Sequence, residues 1–164
     1  MIYLDNAATS FPKPECVLRE LYSAQKYCGA NPGRGGHALS MRAGQKVYSC
    51  REALAEMFGC KAENVAFANN CTSALNTAIN GIVRKGDHVV ISSMEHNSVL
   101  RPVHRLSERG VITYSVARVN PFDDNETLRS FAACINEKTR AVIMTHVSNV
   151  FGTVLPVDKL SALC

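Results

Sequence analysis

The sequence has no long apolar run, no block of like charge and no closely spaced cysteine pair, and each absence removes a class of function. No stretch approaches the roughly 18 consecutive apolar residues of a membrane-crossing helix, so no membrane partner is expected. The opening residues Met1 to Asp5 carry neither the basic n-region nor the apolar h-region of a signal peptide, which predicts a cytoplasmic protein. The 18 Lys and Arg against 14 Asp and Glu leave a formal charge of +4, spread along the chain. Nucleic-acid binding needs a clustered basic footprint, so no such partner is expected either. Cys16, Cys28, Cys50, Cys60, Cys71, Cys134 and Cys164 are seven, an odd number, and form no CxxC. A disulfide framework or a zinc ribbon needs paired, short spacings. Free thiols packed as small hydrophobes, in a reducing compartment and without a metal, are therefore expected.

What remains is ordinary globular material. The 164 residues, 46% hydrophobic and 20% charged, suffice for a domain with a real core. Pro14 can open a helix on which Val17, Leu18, Leu21 and Tyr22 share a face, ended by Gly29. Three glycines and a proline keep the stretch from Asn31 to Gly36 irregular. Ala43, Val47, Leu54 and Phe58 mark a second helix over Leu39 to Phe58, with Gly59 placed to cap it.

The pattern then alternates. Strands are predicted over Val65–Ala68, His88–Ile91, Val111–Val116 and Ala141–Thr145. Helices are predicted over Thr72–Val83, Asn97–Arg109 and Glu126–Asn136, with another opening at Val157. Such alternation predicts an α/β fold, a mostly parallel sheet flanked by helices. Sheets of this kind bind ligands in the crevice at the carboxyl ends of their strands.

Three post-strand segments are therefore the candidates. Asn69 to Ser73 opens a helix, where unpaired N–H groups and the dipole favour an anion; Cys71 and Thr72 are placed to serve a phosphate, and plain N-capping is the alternative. Ser92 to Asn97 contains His96, an imidazole able to stack on a planar cofactor or move a proton, or else an ordinary loop histidine. His146 to Gly152 contains Asn149, whose amide can both donate and accept toward a ring substituent, or can simply build a turn. The glycine-rich loop before Gly36 follows no strand and so fails the context of a dinucleotide or P-loop motif. Its neighbours Arg34 and His37 either meet an anionic substrate or remain solvated.

Taken in order, Tyr3 to Thr9, Asn31 to His37, Asn70 to Ser73, Ser93 to Ser98 and Thr145 to Gly152 resemble the pyridoxal-phosphate-dependent cysteine desulfurases of the class V aminotransferase superfamily. The resemblance implies pyridoxal 5'-phosphate as cofactor and sulfur transfer from L-cysteine, giving alanine and an enzyme persulfide. Cys71 and Thr72 then hold the phosphate, His96 stacks on the pyridine ring as the catalytic imidazole, and Asn149 bonds the ring hydroxyl oxygen. Asn6, Arg34 and His37 fall on the substrate side. Cys71 departs from the family, which often carries a different small residue there.

The resemblance also implies a homodimer, a sulfur-acceptor protein as partner, and a division into residues 1–13, an N-terminal strand with a substrate-side loop, and residues 14–164, part of the cofactor-binding large domain. The family's ring-nitrogen Asp, its Gln, its covalent Lys and its catalytic Cys all follow the last motif present, so the 164 residues alone are expected to be inactive. Two other readings stand beside this one: a non-catalytic truncated fragment or binding module, and another class V lyase or aminotransferase. Cysteine and selenocysteine are not distinguished.

Overall fold

The computed structural model describes residues 2–164. The chain forms two compact units, Met1–Phe67 and Ala68–Cys164.

In the first unit, Pro14 ends its extended entry with φ −56° and ψ 140°, and helix α1 follows over Glu15–Cys28. Helix α2 runs over Ala38–Phe58. It starts where the His37 ring accepts from the Ser40 N–H and stops at Gly59, whose φ of +62° is a left-handed cap that glycine adopts without a Cβ clash. The capping bond from Cys60 N to Ala55 O measures 2.9 Å. Lys46 of α2 forms an ion pair with Glu20 of α1. A 3₁₀ turn, Ala62–Asn64, follows.

No strand forms over Val65–Ala68, contrary to the sequence expectation. A strand is completed by hydrogen bonds to a neighbour, and none of the described residues supplies one here. Phe67 is left 51% exposed, its ring beneath the Arg51 guanidinium at 5.9 Å. Residues 2–4 likewise carry no strand pairing.

The second unit is an α/β layer structure. Helix α3 (Cys71–Ile82) leads into β1 (His88–Ser92), then α4 (Asn97–Glu108), β2 (Thr113–Ala117), α5 (Asp124–Cys134), β3 (Thr139–Ile143) and α6 (Val157–Leu163). The strands lie in the order β2-β1-β3, all parallel. Their bounds differ from the expected ones by about two residues. The helix expected from Glu126 starts two residues earlier because Asp123 caps it, accepting from Asn125 N at 2.8 Å and Glu126 N at 3.1 Å.

Strand β1 is buried throughout, as a central parallel strand covered on both faces should be. Side chains alternate across a strand. Val89 and Ile91 accordingly pack with Ile79 of α3 and Val99 and Val103 of α4. Val90 packs with Phe131 of α5 and Leu160 of α6.

At the amino end of β1, His88 crosses all three strands. Its Nε2 lies 3.0 Å from Ser115 Oγ of β2, and its Nδ1 lies 2.9 Å from Thr139 Oγ1 of β3. The Asn136 amide donates to the same Nδ1 at 3.1 Å. This puts the ring proton on Nε2, directed at Ser115.

Candidate functional site

The topology gathers the candidate segments at one end of the second unit. The chain leaves β1 at Ser92 and enters α4 five residues later, at Asn97, so α4 starts at the carboxyl end of the sheet and runs back along it. Helix α3 delivers the chain to the amino end of β1 and therefore also runs antiparallel to it. The two helices lie side by side with a groove of about 320 Å³ between them, lined by Thr72, Asn97 and Ser98 near their starts and by Asn80 and Arg109 near their ends. Thr72 and the residue after His96 thus share one rim.

Helix α3 opens at Asn70, whose Oδ1 accepts from Ser73 N at 2.8 Å while its backbone carbonyl accepts from Ala74 N. Those two bonds satisfy the third and fourth N–H groups of the helix. Among the described residues, the N–H groups of Cys71 and Thr72 and the Thr72 hydroxyl have no acceptor, and both residues are exposed. Capping and anion binding, alternatives in the sequence, are here divided between adjacent residues: Asn70 caps, and Cys71 and Thr72 keep their donors free.

His96 is the N-cap of α4. Its Nδ1 accepts from Ser98 N at 3.1 Å and lies 2.6 Å from Ser98 Oγ. Ser98 is buried, so the ring is held from the protein side while the residue itself remains exposed. Because Nδ1 accepts, the proton of the neutral ring sits on Nε2.

Asn149 sits in a hairpin-like turn beyond β3. The turn is closed by bonds from Leu155 N to His146 O (2.8 Å), Ser148 N to Thr153 O (3.0 Å) and Gly152 N to Ser148 O (2.8 Å). Gly152 takes φ +68° to complete it. Buried Ser148 accepts from Val150 N and Phe151 N through its hydroxyl, which leaves the neighbouring Asn149 exposed at the tip.

Glu95, a residue the sequence did not single out, joins two of these segments. Its Oε1 accepts from Ser92 Oγ at 2.5 Å and from Thr145 N at 2.6 Å. Loss of solvent raises its pKa above the ordinary carboxylate value, more than the bonds from Ser92 and Thr145 lower it. The only sequence signal for it is an acidic residue in a post-strand turn, in a stretch between Lys85 and Arg101 that holds no other Lys or Arg.

Asn6, Arg34 and His37 belong to the first unit. Asn6 organises its own loop, accepting from Phe11 N at 2.9 Å and donating to Tyr3 O at 3.2 Å. His37 caps α2 through Nδ1, 3.3 Å from Ser40 N, as His96 caps α4. Ser40 in turn donates to Asn31 O at 2.7 Å, folding the glycine-rich loop onto the helix start. A Cβ at Gly35 would meet Ser40 at 2.8 Å, so glycine is required by close approach. Arg34 is exposed in the same loop. Among the described residues no group of three His, Cys, Asp or Glu side chains is arranged to hold a metal, the cysteines are free, and no helix is long and apolar enough to cross a membrane.

The family model for aminotransferase class-V matches residues 2–164. The chain belongs to that family. A probable cysteine desulfurase of Methanothermobacter thermautotrophicus is 35% identical to this class V chain over 99% of its length. The chain spans 40% of that relative. Among solved structures, the apo cysteine desulfurase of Thermococcus onnurineus superposes with a TM-score of 0.83 at 28% identity, covering 99% of this chain and 40% of that one. The protein C-DES, in a mutant with glycine covalently linked to its PLP cofactor, superposes with a TM-score of 0.76 at 25% identity over 92% of this chain and 40% of its own. The fold expected of a class V chain, a parallel sheet flanked by helices, is the one observed.

Proposed function

We propose that this chain is the phosphate- and ring-binding part of a pyridoxal-phosphate-dependent cysteine desulfurase, a protein that takes sulfur from L-cysteine and leaves alanine. The observation that carries the reading is the arrangement at the carboxyl end of the sheet: free donors at the start of α3, an oriented imidazole at the start of α4, and an exposed amide beyond β3. These residues fit the cofactor's chemistry. The N–H groups of Cys71 and Thr72, with the Thr72 hydroxyl, would hold its phosphate. The face of His96, fixed by Ser98, would lie against its ring, and the Asn149 amide would bond its ring hydroxyl oxygen.

When bound, the cofactor supplies an electron sink for the substrate's amino-acid carbanion. The residues of this chain bind and orient. The α3 start fixes the anionic end. His96 keeps one face of the ring from solvent and holds a proton at Nε2. Asn149 sets the rotation of the ring about its phosphate arm. Asn6, Arg34 and His37 are assigned to the substrate side on the resemblance alone. On the same ground the whole protein is read as a homodimer that passes its sulfur to an acceptor protein, and its free cysteines suit the reducing cytoplasm.

The test is made on full-length protein incubated with L-cysteine. Alanine and enzyme-bound sulfur in equal amounts are expected. Pyruvate, ammonia and sulfide instead would identify a class V lyase, and no turnover at all would favour a binding role. Thr72→Ala is expected to weaken cofactor binding about tenfold, the worth of a charge-assisted hydrogen bond. A dissociation constant unchanged from wild type would remove Thr72 from the phosphate site.

A further inference from the structure

The ladder between β1 and β3 ends at Ile91 and Ile143. Two residues past that end, Thr145 N would lose its partner, and it finds one in the Glu95 side chain, 2.6 Å away. Both hydrogen bonds to Glu95 converge on the single atom Oε1, with Ser92 Oγ at 2.5 Å. Ser92 is itself buried, and its hydroxyl also accepts from Met94 N at 3.3 Å. Among the described residues, the Glu95–Thr145 contact is the one hydrogen bond joining segment 93–96 to segment 144–156. Glu95 immediately precedes His96. Thr145 immediately precedes His146, whose carbonyl closes the base of the hairpin that carries Asn149.

We propose that Glu95 is a positioning residue that extends the β1–β3 pairing by one side chain and so fixes the spacing between His96 and Asn149. The inference rests on the reading of those two residues as ring contacts given above. A plain surface carboxylate gains nothing from this location, since leaving water disfavours its charged form. What the location uses is reach and an acceptor oxygen. Aspartate is one methylene too short to span from the post-β1 turn to Thr145. Glutamine has the length and, through its own Oε1, can accept both bonds without a charge.

The experiment uses the full-length protein, stripped of cofactor and titrated with pyridoxal 5'-phosphate. Wild type, Glu95→Gln, Glu95→Asp, Glu95→Ala and His96→Ala are compared by the induced circular dichroism of the bound cofactor and by its dissociation constant, with far-ultraviolet spectra to establish folding. Glu95→Gln is expected to keep the wild-type band and bind within about twofold of wild type. Glu95→Asp and Glu95→Ala should both change the band and bind about tenfold more weakly, the scale of one lost hydrogen bond. A general structural role would lower the melting temperature of the shortened variants and leave the band of the folded protein as it was.

The proposal is overturned if Glu95→Asp keeps the wild-type band and affinity. It is equally overturned if Glu95→Gln is as damaged as Glu95→Asp, because charge rather than reach would then be what matters. Where Glu95→Ala does not fold, the Asp and Gln variants decide. His96→Ala tests the underlying site separately: an unchanged band there removes His96 from the ring face, whatever the Glu95 variants do.

Discussion

Both units carry helices with apolar stripes, but within their own unit only those of the second have a sheet to cover. In the first unit α1 buries no residue, and α2 buries Ser40, Ala43 and Ala55 alone. Leu21 and Tyr22, on the face that marked α1 in the sequence, are each 64% exposed. In the second unit Phe131 and Val103 are fully buried against a strand that is itself sealed. Amphipathic spacing is thus a sufficient signal for a helix and an insufficient one for burial. Burial needs a second surface, and helical stability comes chiefly from that packing.

The largest test of this contrast is a pair of truncations. Phe131→Ala empties a closed site and should cost about 3–5 kcal/mol. Leu21→Ala removes an exposed side chain and should stay within about 0.5 kcal/mol. Urea unfolding followed by far-ultraviolet circular dichroism measures both, and losses of similar size would break the distinction between the units.

A smaller effect is expected at His88. Replacement by Ala leaves Ser115, Thr139 and Asn136 without their shared partner at the closed end of the sheet. It should lower stability by about 1 kcal/mol, the scale of a net hydrogen bond, since the partners are half-buried or exposed and reach water. The same urea titration checks it, and a neutral result would mean that apolar packing alone sets the strand order.

The smallest effect is a pH dependence. Because burial raises the pKa of Glu95, the fold favours its protonated form. Its contribution to stability is therefore complete below the ordinary carboxyl value near 4.5 and is lost as pH rises through the raised value. Wild type should lose stability relative to Glu95→Gln as pH rises, and the difference should then level off. Urea midpoints of the two proteins between about pH 4 and pH 8 test the sign. A gap that widens as pH falls would contradict it.

Much of this architecture was legible in local chemistry. Gly59 announced the end of α2, and the small polar residues from Asn69 to Ser73 announced the start of α3. Caps are made by neighbours in the chain, so the chain spells them out. Val65–Ala68 was misread as a strand because its apolar run describes only one side of a ladder. Among the candidate site residues, His96 and Thr72 were picked out by their places after apolar runs. The division of labour between Asn70 and Cys71 could not, since it depends on which N–H each oxygen reaches. Glu95 and His88 escaped for a further reason: each has a partner far along the sequence, and nothing near either residue hints at Thr145 or Ser115.

Strand β1 also acts as a partition. Val89 and Ile91 belong to one apolar compartment and Val90 to the other, with no buried side chain common to both. A packing defect beside α4 therefore reaches the α5 side through the backbone of the sheet, since β2 and β3 likewise send alternate side chains to the two compartments. Substitutions in the two compartments should combine with little coupling, as distant sites do. Repacking beside α5 is then insulated from the half of the molecule where α3 and α4 present Thr72 and His96, and sequence change can accumulate on one side without disturbing the other.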